Sequence, residues 1–119
     1  MMKRWTGYMA SSTISFGDVV LVPIPWADKE AGYKIRPAVV ISRESLHSVG
    51  QIIVLGISSK EVRGQHEYPI TRWKEAGLMF PSKVWLARPY GISVQYVRKI
   101  GKLDPAELLE IYRRFLGFV

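Results

Sequence analysis

The chain has 119 residues, 48% of them hydrophobic, and carries 17 Lys and Arg against 10 Asp and Glu, a formal charge of +7. This length supports one domain burying roughly two thirds of its unfolded surface, and the basic excess favours a polyanionic partner, either nucleic acid or an acidic protein. The lack of cysteine excludes disulfides, thiolate nucleophiles and cysteine-ligated metal sites, and no apolar run approaches the ~18 residues of a membrane span.

Residues 1–15, MMKRWTGYMASSTIS, read as a polar N-terminal arm with two aromatics, Trp5 and Tyr8. The arm has two positive charges but no continuous apolar stretch behind them, so a signal peptide is not expected and a cytoplasmic location is. The remaining residues, 16–119, are expected to form the folded domain. A first strand is expected over Asp18 to Pro23, with Pro23 and Pro25 stopping regular pairing. A polar loop from Trp26 to Lys34 follows, then a second strand from Ile35 to Ser42 and a surface helical turn over Arg43 to Ser48 that carries His47. Gln51 to Ile57 is apolar throughout and reads as a strand buried on both faces.

Glu67 to Ile70 and Lys83 to Ala87 read as short strands, with a helical turn at Thr71 to Ala76 between them and a further strand from Ser93 to Ile100. The end of the chain carries a clear helix start. Asp104 is an N-cap acid, Pro105 occupies the first helical position and Glu107 the third. Leu108, Leu109, Tyr112, Phe115, Leu116 and Val119 then recur at helical spacing, and Glu110 can pair with Arg114 on the opposite face. Several short strands closed by one helix imply an α+β, mainly β fold, a small bent sheet or barrel.

Gly17-Asp18-Val19-Val20-Leu21-Val22-Pro23, followed after a polar loop by Arg36-Pro37-Ala38-Val39-Val40-Ile41-Ser42, resembles the MazF/PemK (Kid-like) toxin family. The likeness continues through Ile52 to Ser59, Glu75-Ala76-Gly77-Leu78 and Ile100-Gly101-Lys102-Leu103. It implies an SH3-like β-barrel that forms a homodimer and acts as a sequence-specific, metal-independent endoribonuclease without cofactor. It also implies a co-encoded antitoxin. The family's principal catalytic positions fall on Arg36 and Ser58, with Ser59 beside them. Many relatives carry a basic–x–acidic pair where this chain has Trp85-Leu86-Ala87, and the following Pro89-Tyr90-Gly91 lacks their arginine and hydroxyl.

The chemistry these residues suit is intelligible by itself. RNA is cut without metal when its own 2′-OH attacks the adjacent phosphate, leaving a 2′,3′-cyclic phosphate and a 5′-OH. Negative charge gathers on the phosphoryl oxygens, and a guanidinium meets it with two parallel hydrogen bonds while staying charged. Arg36 is therefore the candidate phosphate clamp and Ser58 an auxiliary donor. Arg36 is a poor proton acceptor, so the base is sought among Asp28, Glu30 and His66. Lys34 and Ser59 extend the RNA-binding set, and Trp26 and Trp85 offer rings for unpaired bases. The competing structural roles are a surface ion pair for Arg36, a backbone-bonded hydroxyl for Ser58 and core or dimer packing for the aromatics.

Two function classes stay open. One is an active ribonuclease toxin acting on single-stranded RNA, the other a non-catalytic module binding RNA or an acidic peptide on the same scaffold. A purely structural dimer is a more remote third. An acidic, disordered antitoxin suits the same cationic groove, and the apolar end Phe115, Leu116, Phe118, Val119 suits a dimer contact.

Overall fold

The computed structural model describes residues 14–25, 33–60 and 66–119. Among these residues, six strands form one antiparallel sheet in the order β4-β5-β3-β2-β1-β6. They are β1 (Asp18–Pro25), β2 (Tyr33–Val40), β3 (Gln51–Ser58), β4 (Glu67–Pro69), β5 (Lys83–Ser93) and β6 (Arg98–Lys102). A short helix α1 (Glu44–His47) precedes β3, a 3₁₀ turn (Val94–Tyr96) precedes β6, and helix α2 (Pro105–Leu116) ends the domain.

Of the expected bent sheet or SH3-like barrel, the structure has the mainly β sheet with its C-terminal helix, and the sheet is open. Among the described residues β4 and β6 are its edges and no ladder joins them. Edge β4 is only three residues long, and edge β6 carries Arg98, Lys99 and Lys102, which discourages pairing with further strands.

Strand β1 runs two residues beyond the expected stop at Pro23, with Pro23 facing Ile35 and Pro25 facing Tyr33. The prolines are tolerated because β6 pairs only with Asp18 to Leu21. Pro37, opposite Leu21, likewise lies outside the β2–β3 ladder, which covers Ala38 to Val40. No proline therefore removes a donor that a second neighbouring strand needs. The strand expected at Ser93 to Ile100 is instead the end of β5, the 3₁₀ turn and the start of β6. The turn expected at Thr71 to Ala76 forms, with Ala76 N–H donating to the Arg72 carbonyl (3.1 Å), and it ends at Gly77 with φ +93°. A Cβ on Gly77 would strike the Ile100 carbonyl, and one on Gly101 would strike that of Ala76, so both positions need glycine for this close approach.

Both faces of the central strands are buried, which is why they read as continuous apolar runs. One face packs Val19, Val39, Leu55, Ile57, Val84 and Leu86 against Leu103 and Ile111 of the α2 region. The other gathers Val20, Val22, Ala38, Val40, Ile52, Val54 and Ile92. Strand β5 changes phase between them: Leu55 pairs with Pro89 but Ile57 with Val84, so two steps along β3 match five along β5. This bulge spans Trp85 to Arg88.

Asp104 caps α2 as expected, accepting from the backbone N–H of Ala106 (3.1 Å) and Glu107 (3.3 Å). Glu107 reaches across to the β4 end instead of back to the cap. Its carboxylate accepts from the Tyr68 hydroxyl (3.0 Å) and the N–H groups of Thr71 (2.8 Å) and Arg72 (2.9 Å). Burial and this carboxylate push the Tyr68 phenol up to about 12. Glu110 bonds both Arg113 and Arg114 at 2.7 Å, and those guanidinium donors hold its carboxyl down at about 2.

Candidate active site

The site is built by register across four strands. Arg36 on β2 lies opposite Val22, so both side chains lie on the face away from α2, where Val22 belongs to the second core. The β2–β3 ladder pairs Ala38 with Gly56; continued by two residues, the same register sets Arg36 opposite Ser58. On the far side of β3, Ser58 pairs with Lys83, and Lys83 pairs with Pro69 of β4. Arg36, Ser58 and Lys83 thus form one row on one face, beyond the end of its apolar core. Arg36 and Ser58 are half-buried, whereas Lys83 is only 2% exposed.

The Ser58 hydroxyl oxygen accepts from the backbone N–H of Lys60 at 3.2 Å. This turn orients the hydroxyl, and its own proton is a donor available to an anion. Lys34, two residues before Arg36 in the same phase, extends the cationic row as an exposed side chain. Ser59 is exposed just past the end of β3.

Trp85, two residues after Lys83, also shares this face, opposite Glu67. Its ring lies 5.0 Å from the Arg88 guanidinium. Strand β5 therefore brings a cation-stacked indole beside the row, and β4 brings a carboxylate.

The other sequence candidates separate. Trp26, Asp28 and Glu30 lie outside the described residues. His66 sits toward α2: its carbonyl accepts from Leu86 N–H at 2.8 Å, and its ring stands 5.1 Å from Phe118. It does not join the row of Arg36 and Ser58. His47, expected on a surface turn, is instead 1% exposed. Its Nε2 accepts from the Ser42 hydroxyl (2.7 Å) and its Nδ1 donates to the Ile14 carbonyl (3.1 Å), a tautomer set by these partners. This histidine holds the start of the domain to α1.

Sequence reading missed Lys83, treated only as the start of a strand, and Glu67. The signal for Lys83 was its phase, two residues before Trp85 on an otherwise apolar strand. For Glu67 only the pairing of β4 with β5 supplies the signal. Among the described residues, no three His, Asp or Glu side chains are grouped to hold a metal ion, and no helix is long and apolar enough to cross a membrane.

The row carries a guanidinium, a hydroxyl and a buried ammonium, with an indole alongside. Comparison with known proteins agrees with the sequence resemblance. Residues 15–118 match the family described as PemK-like, MazF-like toxin of type II toxin–antitoxin system. A solved MazE–MazF complex from Deinococcus radiodurans superposes with a TM-score of 0.70 at 13% identity, covering 88% of this chain and 94% of that one. The Mycobacterium tuberculosis toxin MazF-mt6 gives 0.67 at 24% identity, covering 85% and 93%. A mycobacterial endoribonuclease solved with its cognate antitoxin gives 0.67 at 11% identity, covering 90% and 98%. No curated protein sequence matches the chain. Similarities at these identities establish the fold, while the family match spans nearly the whole sequence. The chain belongs to the PemK/MazF family of toxins of type II toxin–antitoxin systems.

Proposed function

We propose that this chain is an endoribonuclease toxin that cuts single-stranded RNA at specific sequences without a metal. The observation that supports the reading is the shared face of Arg36 and Ser58, which the β2–β3 register, continued two residues past its last pair, would set opposite one another. In the proposed reaction the ribose 2′-OH loses its proton to a base, and its oxygen attacks the adjacent phosphorus in line. The P–O5′ bond breaks, O5′ takes up a proton from solvent, and the products are a 2′,3′-cyclic phosphate and a 5′-OH end. Arg36 clamps two phosphoryl oxygens and Ser58 donates to one of them. A preorganised donor of this kind contributes about 3–4 kcal/mol to lowering the barrier. The base is assigned to a carboxylate, either Asp28 or Glu30 from the β1–β2 connection or Glu67 on the site face.

The same cationic face suits an acidic antitoxin peptide that folds on binding, and Deinococcus and mycobacterial proteins of this fold have been solved with antitoxins. Exposed Leu116, Phe118 and Val119 at the end of α2 support a homodimer. A concentration-independent monomer mass by light scattering would remove that part of the proposal.

The test is incubation of the purified protein with single-stranded RNA in EDTA. Cyclic-phosphate ends are expected, and Arg36→Ala should slow their formation by a hundredfold or more with little change in melting midpoint. RNA left intact by excess protein would reject the nuclease and leave the non-catalytic binding module.

A further inference from the structure

We propose that Lys83 is a further catalytic residue of this site, its ammonium contacting the scissile phosphate from the side of Ser58 opposite Arg36. The inference rests on the ribonuclease reading given above. Lys83 pairs directly with Ser58, so the two side chains rise from the same face of neighbouring strands. The side chain is 2% exposed, and its ammonium has neither a hydrogen-bond partner nor an ion-pair partner among the described residues. A buried cation without an acceptor is costly to the fold, and an aliphatic residue would serve a purely structural role better. The charge is accounted for by an anion that arrives from outside.

The placement favours a phosphate over the carboxylates of an acidic peptide. Adjacent strands lie about 4.8 Å apart, so Lys83 and, in the register continued past Ala38, Arg36 flank Ser58 on its two sides. A phosphoryl centre in the transition state offers charged oxygens on several sides and accepts donors from both flanks. The Trp85 ring, two residues along β5 on the same face, lies where a base attached to that phosphate can stack. Trp85 itself brings no charge, so Lys83 supplies the cation of this strand.

The experiment compares the full chain with Lys83→Met, which keeps the aliphatic stem and removes the charge. Loss of an unpaired buried charge should leave the melting midpoint at or above the parent's. Cleavage of mixed-sequence single-stranded RNA in EDTA should fall about a hundredfold in kcat. Binding of a 2′-O-methyl RNA of the same sequence, followed by anisotropy, gives the slope of log affinity against log salt. That slope should shrink by about 0.7, the loss of one phosphate contact.

The binding readout needs no cleavage. A parent that binds but never cuts overturns the ribonuclease reading, while the slope alone then decides the Lys83 contact. Unchanged cleavage with an unchanged slope overturns the proposal. Slower cleavage with an unchanged slope also overturns it, since that marks positioning and no contact. Weaker binding of an acidic peptide with the RNA slope intact assigns Lys83 to a protein partner instead, and failure of the parent to bind RNA overturns both readings. Should Lys83→Met melt below the parent, Lys83→Gln is measured by the same slope.

Discussion

Two buried charged groups, one on each face of the sheet, are treated in opposite ways. On the helix side, the Glu107 carboxylate takes three hydrogen bonds and ties α2 to Tyr68 and the turn at Thr71. On the other side, Lys83 is buried with no partner among the described residues, and the Trp85 indole nitrogen is buried without one there too. Satisfied groups of the first kind hold a fold together. Unsatisfied ones are rare in native proteins and mark a place where a ligand completes the structure. The contrast marks Glu107 as a group that holds the fold and Lys83 as one left for chemistry.

Substitutions should divide the same way. The largest effect expected is in activity alone. Arg36→Ala should cost a hundredfold or more in RNA cleavage, and a comparable drop in melting midpoint would blur this division. Next comes Glu107→Ala, which strands two backbone donors and a phenol. Chemical denaturation should show a loss of about 2–4 kcal/mol, and cleavage per folded molecule should be unchanged.

Tyr68→Phe removes one of those three bonds and should cost about 1 kcal/mol at neutral pH. Because the Tyr68 phenol is raised to about 12 from the ordinary 10, its contribution is whole below pH 10 and fades as the pH climbs toward 12. Urea midpoints of parent and Tyr68→Phe should therefore converge over that range. Glu110 should give the smallest effect. Its carboxyl lies at about 2 against an ordinary 4.5, so its ion pairs contribute above pH 4.5 and are lost as the pH falls toward 2. Because these are solvent-screened surface ion pairs, Glu110→Gln should be nearly silent in a thermal melt at pH 7.

Local features were legible in the amino-acid order, and long-range ones were not. The apolar run of β3 announced a strand buried on both faces, and Asp104-Pro105 announced the helix start. Arg36 beside Pro37 and Ser58 at a strand end could be singled out before their register was known. Nothing local reveals that Glu107 leaves its own helix cap for Thr71, a partner thirty-six residues away. His47 looked like a surface residue because the groups that bury it, Ser42 and Ile14, come from other segments. Lys83 was passed over because a lysine at a strand edge is ordinarily solvated, and only the pairing with Ser58 places it indoors.

The bulge in β5 has a mechanical consequence. Before it, even-numbered Val84 and Leu86 face α2; after it, even-numbered Ile92 faces the opposite core. The surplus of residues on β5 is odd, so the bulge acts as a half-turn coupling between two lengths of one strand. Deleting a single residue within 86–88 would rotate the leading length by one step, sending Lys83 into the helix-side core and Val84 outward. Deleting two would keep the phase. The orientation of the candidate site is thus held by a count of residues as much as by any side chain.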